Sequence, residues 1–451
     1  MTSSNWLEKE CDALEDRLNK NSSIAINETK LSALNKFREY GLPTTKNEDW
    51  KYTDLSHLIS HQFCNNSPSK NICDLHIDKS IIEPFLIPKL NVELVVFVDG
   101  SYCDNLSSKT IEKNNISVFD SSNAPNDKIK AQLNETVLVN TPKPFSLLNT
   151  AFLQNGLCID IGKNTETKKP LHVIYFASEA SNDIALYPRL LLNVEENSSI
   201  TLIESFVGTN DASYFSCGVL QINIGNNSKV NHLRMGLHGN KAICVSSCDI
   251  KQSKDSRYNL HFLSTGGLLV RNEVYNYLAG DNAESNLLGL TIANNNEFID
   301  NLTFVEHLAP NSTSYEKFKG IYDSKAHGVF TGTIVVQKEA KKTNAYQSNS
   351  NLLLSKEAKV ETRPQLKIWT DDVKCSHGTT TGQLNKDALF YLTARGIDKD
   401  TATRLLTEAF ANEILLTIES QEIRDYVAAQ FISTKLGSNS KNDAISLKRQ
   451  L

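Results

Sequence analysis

With 451 residues, 52 acidic against 47 basic side chains and a net charge of −5, the chain has no basic surplus of the kind that binds nucleic acid. A hydrophobic fraction of 40% supports a real core and excludes wholesale disorder, and no apolar run approaches the ~18–20 residues of a membrane span. The opening MTSSNWLEKECDALEDRL lacks the basic and apolar segments of a secretory signal and is too acidic for a transit peptide, so the expected setting is cytoplasmic.

Residues 5–40 read as helical, with Leu7, Leu14, Leu18, Leu31, Leu34 and Phe37 at spacings of three, four and seven within each cluster. Gly41 and Pro43 stop the helix, and Trp50 and Tyr52 supply aromatic anchors just after it. VELVVFVDG (92–100) reads as a strand ending in a turn. PFSLLNTAFLQNG (144–156) reads as a short helix with proline near its start and glycine after its end.

From about residue 168 the texture changes. Short apolar stretches alternate with Asn, Ser, Gly and Asp turns, and in VLQINIG the residues Leu220, Ile222 and Ile224 point one way. Tyr258, Leu260 and Phe262, then Leu288, Leu290 and Ile292, repeat the pattern. Polar breaks fall near Asn197, Asn227, Asp255, Asn282, Asn311 and Asn344, a period of roughly 27–33 residues with about two strands each. A propeller blade needs four strands in a longer repeat, and a Greek-key sandwich has no such period. A parallel β-helix fits both the strand content and the repeat.

Near Thr380 helical spacing returns. Gly396 separates two helices, the second with an expected apolar stripe of Leu405, Leu406, Ala409, Phe410 and Ile414, and Ile423, Val427 and Phe431 share a face farther on. The expected organisation is an N-terminal helical and mixed α/β region at 1–165, a β-helix core at 166–380, a C-terminal helical domain at 381–435 and a polar tail at 436–451.

The nine cysteines are odd in number, scattered and without a CxxC pair, as suits a reducing compartment. Cys244 and Cys248 would share a strand face about 13 Å apart, too far for one metal ion, and read as buried thiols. KCSHGTTTGQL (374–384) sits where solenoid meets helices. If it opens as a strand, Cys375 and His377 leave the same face with Ser376 opposite. A thiolate beside an imidazole suits iron or zinc, but two ligands make half a site, and a packed end-of-sheet pair would have the same sequence. Nothing supplies a third catalytic member for Cys375, and HGTTTG lacks the lysine of a P-loop. His232 and His238 read as surface or turn histidines, and Glu306-His307 lacks the second histidine of HExxH.

GLPTTKNEDWKYTDL (41–55), VEHLAPNSTSYEKFKGIYDSKAHGVFTGTIVVQ (305–337), the run from NAYQSNSN (344–351) through KCSHG to the 396 glycine, and ATRLLTEAF (402–410) together resemble the SUF-system iron–sulfur cluster assembly proteins of the SufB/SufD type. The resemblance is strongest over roughly 260–415 and lies closest to the SufD branch. It implies a right-handed parallel β-helix between an N-terminal region and a C-terminal helical domain. It implies a non-enzymatic subunit that pairs with the SufB paralogue and docks the SufC ATPase, with sulfur coming from a cysteine desulfurase and its carrier. His377 matches the family's interfacial histidine, implicated in iron acquisition or cluster assembly, and Cys375 is its weaker companion in a candidate metal half-site. Arg404, Leu405, Leu406 and Phe410 become the ATPase-docking residues. The cysteine ascribed to SufB near NAYQSNSN has no counterpart here, which favours the SufD branch. An iron–sulfur cluster or iron would be held transiently and shared with SufB. A reduced flavin in the complex and a homodimer of the isolated chain also follow from the resemblance. Two alternatives remain at this stage: a purely structural adaptor without metal contact, and a β-helix carbohydrate-active enzyme, which the missing signal peptide and the helical C-terminal domain disfavour.

Overall fold

In the computed structural model, which describes residues 6–20, 26–65, 78–109, 116–120, 127–138 and 143–433, the backbone enters the left-handed region at one recurring corner of each repeat. It does so at Asn197, Asn227, Asp255, Asn282, Asn311 and Lys342, with φ between 52° and 58°. Asn and Asp tolerate this conformation better than other non-glycine residues because a short polar side chain can bond locally. The first five positions are the breaks read from the sequence. The sixth falls at Lys342, because Asn344 is already paired with Thr313 inside a strand. The turn side chains also stack: Asn227 Nδ2 donates to Asn197 Oδ1 at 2.9 Å, and Asn197 Nδ2 to Asn164 Oδ1 at 3.0 Å.

Between these turns, successive strands go alternately to two parallel sheets, so each coil adds one strand to each. About eight coils stack, from Asn155–Ile161 with Leu171–Ala177 to Lys359–Ile368 with Val373–Gly382. This is the expected β-solenoid. Both sheets reach back before residue 166: Asn155–Ile161 pairs parallel with Arg189–Val194, and Glu93–Val98 with Leu171–Ala177. The 92–100 stretch is thus a strand, turned by Asp99 and Gly100, both at positive φ.

The pleat sends alternate side chains inward, where Leu220, Ile222, Ile224, Tyr258, Leu260 and Phe262 join one continuous core. Full burial of each aliphatic side chain contributes about 1.5–3 kcal/mol. Leu288, Leu290 and Ile292 point outward instead, under the C-terminal helices.

The N-terminal stretch forms two described helices, Trp6–Lys20 and Asn27–Tyr40. They pack with Trp50, Phe145, Phe215, Ile243 and Leu269 on the outer face of the first sheet. Pro144–Phe152 is helical as read. Gly156, however, does not cap that helix. It lies in the following strand beneath the Phe119 ring, which a Cβ would approach to 2.2 Å.

Helices Lys386–Ala394, Lys399–Leu415 and Gln421–Val427 follow the solenoid, each started by a side-chain cap from Asn385, Asp398 or Ser420. The buried face of the middle helix is Ala402, Thr407, Ala411, Ile414 and Leu415. The expected stripe therefore holds only at Ile414. Leu405 and Ala409 are exposed, and Leu406 and Phe410 are half-buried. Small residues let this helix approach the sheet, while its edge is polar: Lys319 pairs with Glu413 at 2.8 Å and lies 3.9 Å over the Phe410 ring. Ile423, Val427 and Phe431 are buried as read. The tail expected at 436–451 lies outside the described residues.

Candidate functional site at the terminal coil

The last coil is built from Lys359–Ile368 and Val373–Gly382, each the edge strand of its sheet. An edge strand leaves a row of backbone donors and acceptors for a further strand. Few residues here are covered, and the corner carries Trp369 at 65% exposure beside Ile368. Thr362 and Thr379 hydroxyls meet at 3.0 Å across the lumen. Arg363 bonds Glu48 and the Glu48 carbonyl, tying the N-terminal motif to this coil.

Cys375 aligns with Ala345, Ser376 with Tyr346 and His377 with Gln347. Ala345 and Gln347 are buried in the lumen and Tyr346 is exposed, so Cys375 and His377 share the inward face and Ser376 the outward one. Cys375 packs against the solenoid core, and this partial burial raises its thiol pKa. His377 is exposed. Among the described residues, no three His, Cys, Asp or Glu side chains gather as a metal-holding set.

The four residues read as a docking group lie elsewhere, on Lys399–Leu415. Arg404 and Leu405 are exposed. The neighbouring helix Lys386–Ala394 buries nothing, leaving Phe390 and Tyr391 in solvent at 73% and 56% exposure. The apolar spacing in LNKDALFYL could have pointed to these two aromatics, which the sequence reading passed over.

Of the other histidines, His232 departs from the surface or turn position expected, and His238 keeps to it. His232 is buried, 2.9 Å from both Tyr258 OH and Glu204 Oε2. Burial and the neighbouring Arg234 lower its pKa against the pull of Glu204. Burial alone would raise the Glu204 carboxyl, but Arg234 and His232 outweigh it and hold the pKa below its usual value. His238 lies in the turn just past the strand, half-buried, with its pKa lowered to about 4 by desolvation and Cys244 Sγ at 3.3 Å. His232 is a core histidine because an inward strand position carries it. Strand parity, counted from the turn asparagines, could have revealed it. His307 bonds Ser312 and Ser314 at 2.7 and 2.9 Å. Cys244 and Cys248 are buried thiols as read, with Cys248 pushed up to about 12 by burial. Cys103 is disulfide-bonded, which the scattered, odd-numbered cysteines did not suggest. No described helix is long and apolar enough to cross a membrane.

Two family profiles cover nearly the whole chain: the SufBD protein N-terminal region over residues 3–173, and the SufBD core domain of SUF-system FeS cluster assembly over 176–410. An iron–sulfur cluster assembly SufBD family protein of Synechocystis is 31% identical, covering 91% of both chains. The iron–sulfur cluster assembly protein SufD of Escherichia coli is 30% identical over 86% of this chain and 88% of its own. The chloroplastic protein ABCI7 of Arabidopsis thaliana is 28% identical over 92% of this chain and 87% of its own.

Proposed function

Because this chain belongs to the SufBD family of SUF-system iron–sulfur cluster assembly proteins, we propose that it is the SufD-like half of a two-subunit scaffold whose partner is the SufB paralogue. The observation that carries this is the position of His377 and Cys375. They face inward from an edge strand, in the least covered coil of the solenoid. A partner edge laid against this coil would bring its own ligands to the imidazole, and iron or a nascent cluster is then the cargo held between two chains. His377 is a neutral-nitrogen donor in this role, and Cys375 contributes only if the partner's approach lowers its thiol pKa. The chain acts by holding and positioning, not by catalysing a turnover.

The C-terminal helices are the docking surface for the SufC ATPase. Arg404 and Leu405 face solvent, next to Phe390 and Tyr391 on the preceding helix, so the surface is wider than the four residues first assigned. Aromatic and arginine side chains at the centre of a patch carry most binding energy.

The deciding experiment is co-purification of this chain with its SufB and SufC partners, as wild type and as His377→Ala, followed by iron and sulfide assay. A variant complex that assembles but carries little cluster supports the half-site. Equal cluster in both makes the chain a structural adaptor.

A further inference from the structure

Behind His377 runs a polar column on the inward face of the second sheet. Glu316, Gln347 and His377 occupy matching positions on three successive strands. Glu316 and Gln347 are fully buried. Gln347 Nε2 donates to Glu316 Oε1 at 3.2 Å, which leaves the amide oxygen free of the carboxylate. That oxygen, Gln347 Oε1, has no hydrogen-bond partner among the described residues. An unmet buried acceptor costs about 1–3 kcal/mol. The lumen is shaped around the amide: across from it stands Gly332, where a Cβ would lie 2.4 Å from Gln347 Nε2.

We propose that Gln347, braced by Glu316, is the positioning residue for His377. Gln347 Oε1 accepts a ring N–H of His377, fixing one tautomer and leaving the other ring nitrogen unprotonated for iron. The same sheet already shows that register neighbours bond across one strand spacing. Asn259 Nδ2 donates to Asn231 Oδ1, and Asn286 Nδ2 to Asn259 Oδ1, each at 2.9 Å. In the free chain water competes for the exposed His377 ring. A subunit laid over the coil edge removes that competition. The role of Gln347 rests on His377 holding iron, as proposed above. A metal-binding imidazole is oriented by the acceptor of its second N–H, and loss of that acceptor typically weakens metal binding 10–100-fold.

The test uses the full chain in complex with its SufB and SufC partners, labelled with ¹⁵N-histidine and free of iron, with ferrous iron then added as the probe. In the wild type, the His377 ring signals, assigned by their loss in His377→Ala, should show a single tautomer. Averaged signals from a tautomer mixture would overturn the proposal. Gln347→Met keeps the volume and removes the acceptor. It should give that mixture and raise the iron concentration for half-maximal loading by at least ~10-fold, with the complex intact. Glu316→Gln still accepts from Gln347 and should stay within about threefold of wild type. Unchanged half-saturation in Gln347→Met while His377→Ala loses iron would sink the role of Gln347 alone. Full iron loading by His377→Ala would sink the half-site itself. Should Gln347→Met not assemble, the wild-type tautomer and Glu316→Gln decide.

Discussion

The Arg271 guanidinium lies 3.8 Å over the Trp50 ring, joining the N-terminal motif to the outer face of the solenoid. Arg271 is fully buried and bonds Glu273 at 2.8 Å, and it also pairs with Asp300, which in turn accepts from Thr53. Trp50 is itself stacked on Phe145, with centroids 5.3 Å apart. Here the N-terminal motif is held by one cation between two carboxylates and an indole. Arg271→Ala leaves both carboxylates buried without a counter-charge and should cost about 3–5 kcal/mol in urea unfolding. Arg271→Lys should recover only part of this, because an ammonium cannot span both carboxylates while lying flat on the ring. A loss below 1 kcal/mol for Arg271→Ala would mean that water reaches the site.

The turn residues make a second prediction. Asn227 has φ of 52° and donates to Asn197 Oδ1. Asn227→Gly keeps the left-handed backbone at little steric cost and loses one exposed ladder bond. Asn227→Val forces a β-branched residue into that region and should cost about 1–2 kcal/mol more than the glycine variant. Thermal unfolding of the two variants side by side measures the difference, and equal melting would refute the steric account.

The solenoid was legible because one backbone requirement repeats. Each coil needs a left-handed residue, and Asn or Asp at a regular interval announces it. Strand faces followed from period-two alternation, as with Leu220, Ile222 and Ile224. What stayed hidden depends on which face meets what. His232 looks like an ordinary polar residue in NHLRMGLHG, yet parity places it inside. Leu405 looks like core in an amphipathic helix, yet Ala411 and Ile414 make the contact with the outward side chains of the sheet. The side-by-side pair Cys375 and His377 was readable, but the column behind it was not. Glu316, Gln347 and His377 are about thirty residues apart and meet only through strand register.

A buried carboxyl and buried histidines make opposing contributions to the pH dependence of stability. Burial pushes Glu316 up from 4.5 to about 7, against the one bond that Gln347 donates to it. Between those values the native state keeps a proton that the unfolded chain releases, so this group's contribution falls as pH rises through the window. Glu316→Gln should match wild type at pH 4 and exceed it at pH 8 by about 1–3 kcal/mol. The buried histidines act in the other direction. Desolvation lowers His172 to about 3 and His307 to about 4, so the native state refuses protons that the unfolded chain accepts. Their contribution is lost as pH falls from ~6.5 toward ~4. The two windows overlap, and there the two histidines outweigh the single carboxyl, so wild-type urea midpoints should rise from pH 4 toward about pH 6.5, and Glu316→Gln should steepen that rise. A Glu316→Gln profile parallel to wild type would show that Glu316 ionises normally.

The exposed face of the C-terminal helices allows docking to be separated from folding. Phe390 and Tyr391 lie on a helix with no buried residue, and Leu405 is exposed on the next. In contrast, Ile414 is fully buried against the sheet beside Leu290 and Ile292. Phe390→Ser should leave thermal unfolding within about 0.5 kcal/mol of wild type, as surface substitutions do. If the ATPase docks here, the same variant should lose at least ~10-fold in affinity for it, because a central aromatic anchor contributes about 2 kcal/mol or more. Ile414→Ser should do the reverse in origin, weakening docking only as far as it unfolds the helices. Titration of the ATPase against each variant by calorimetry, at a temperature where both remain folded, separates the two effects. Full affinity in Phe390→Ser would move the docking surface away from this pair of helices.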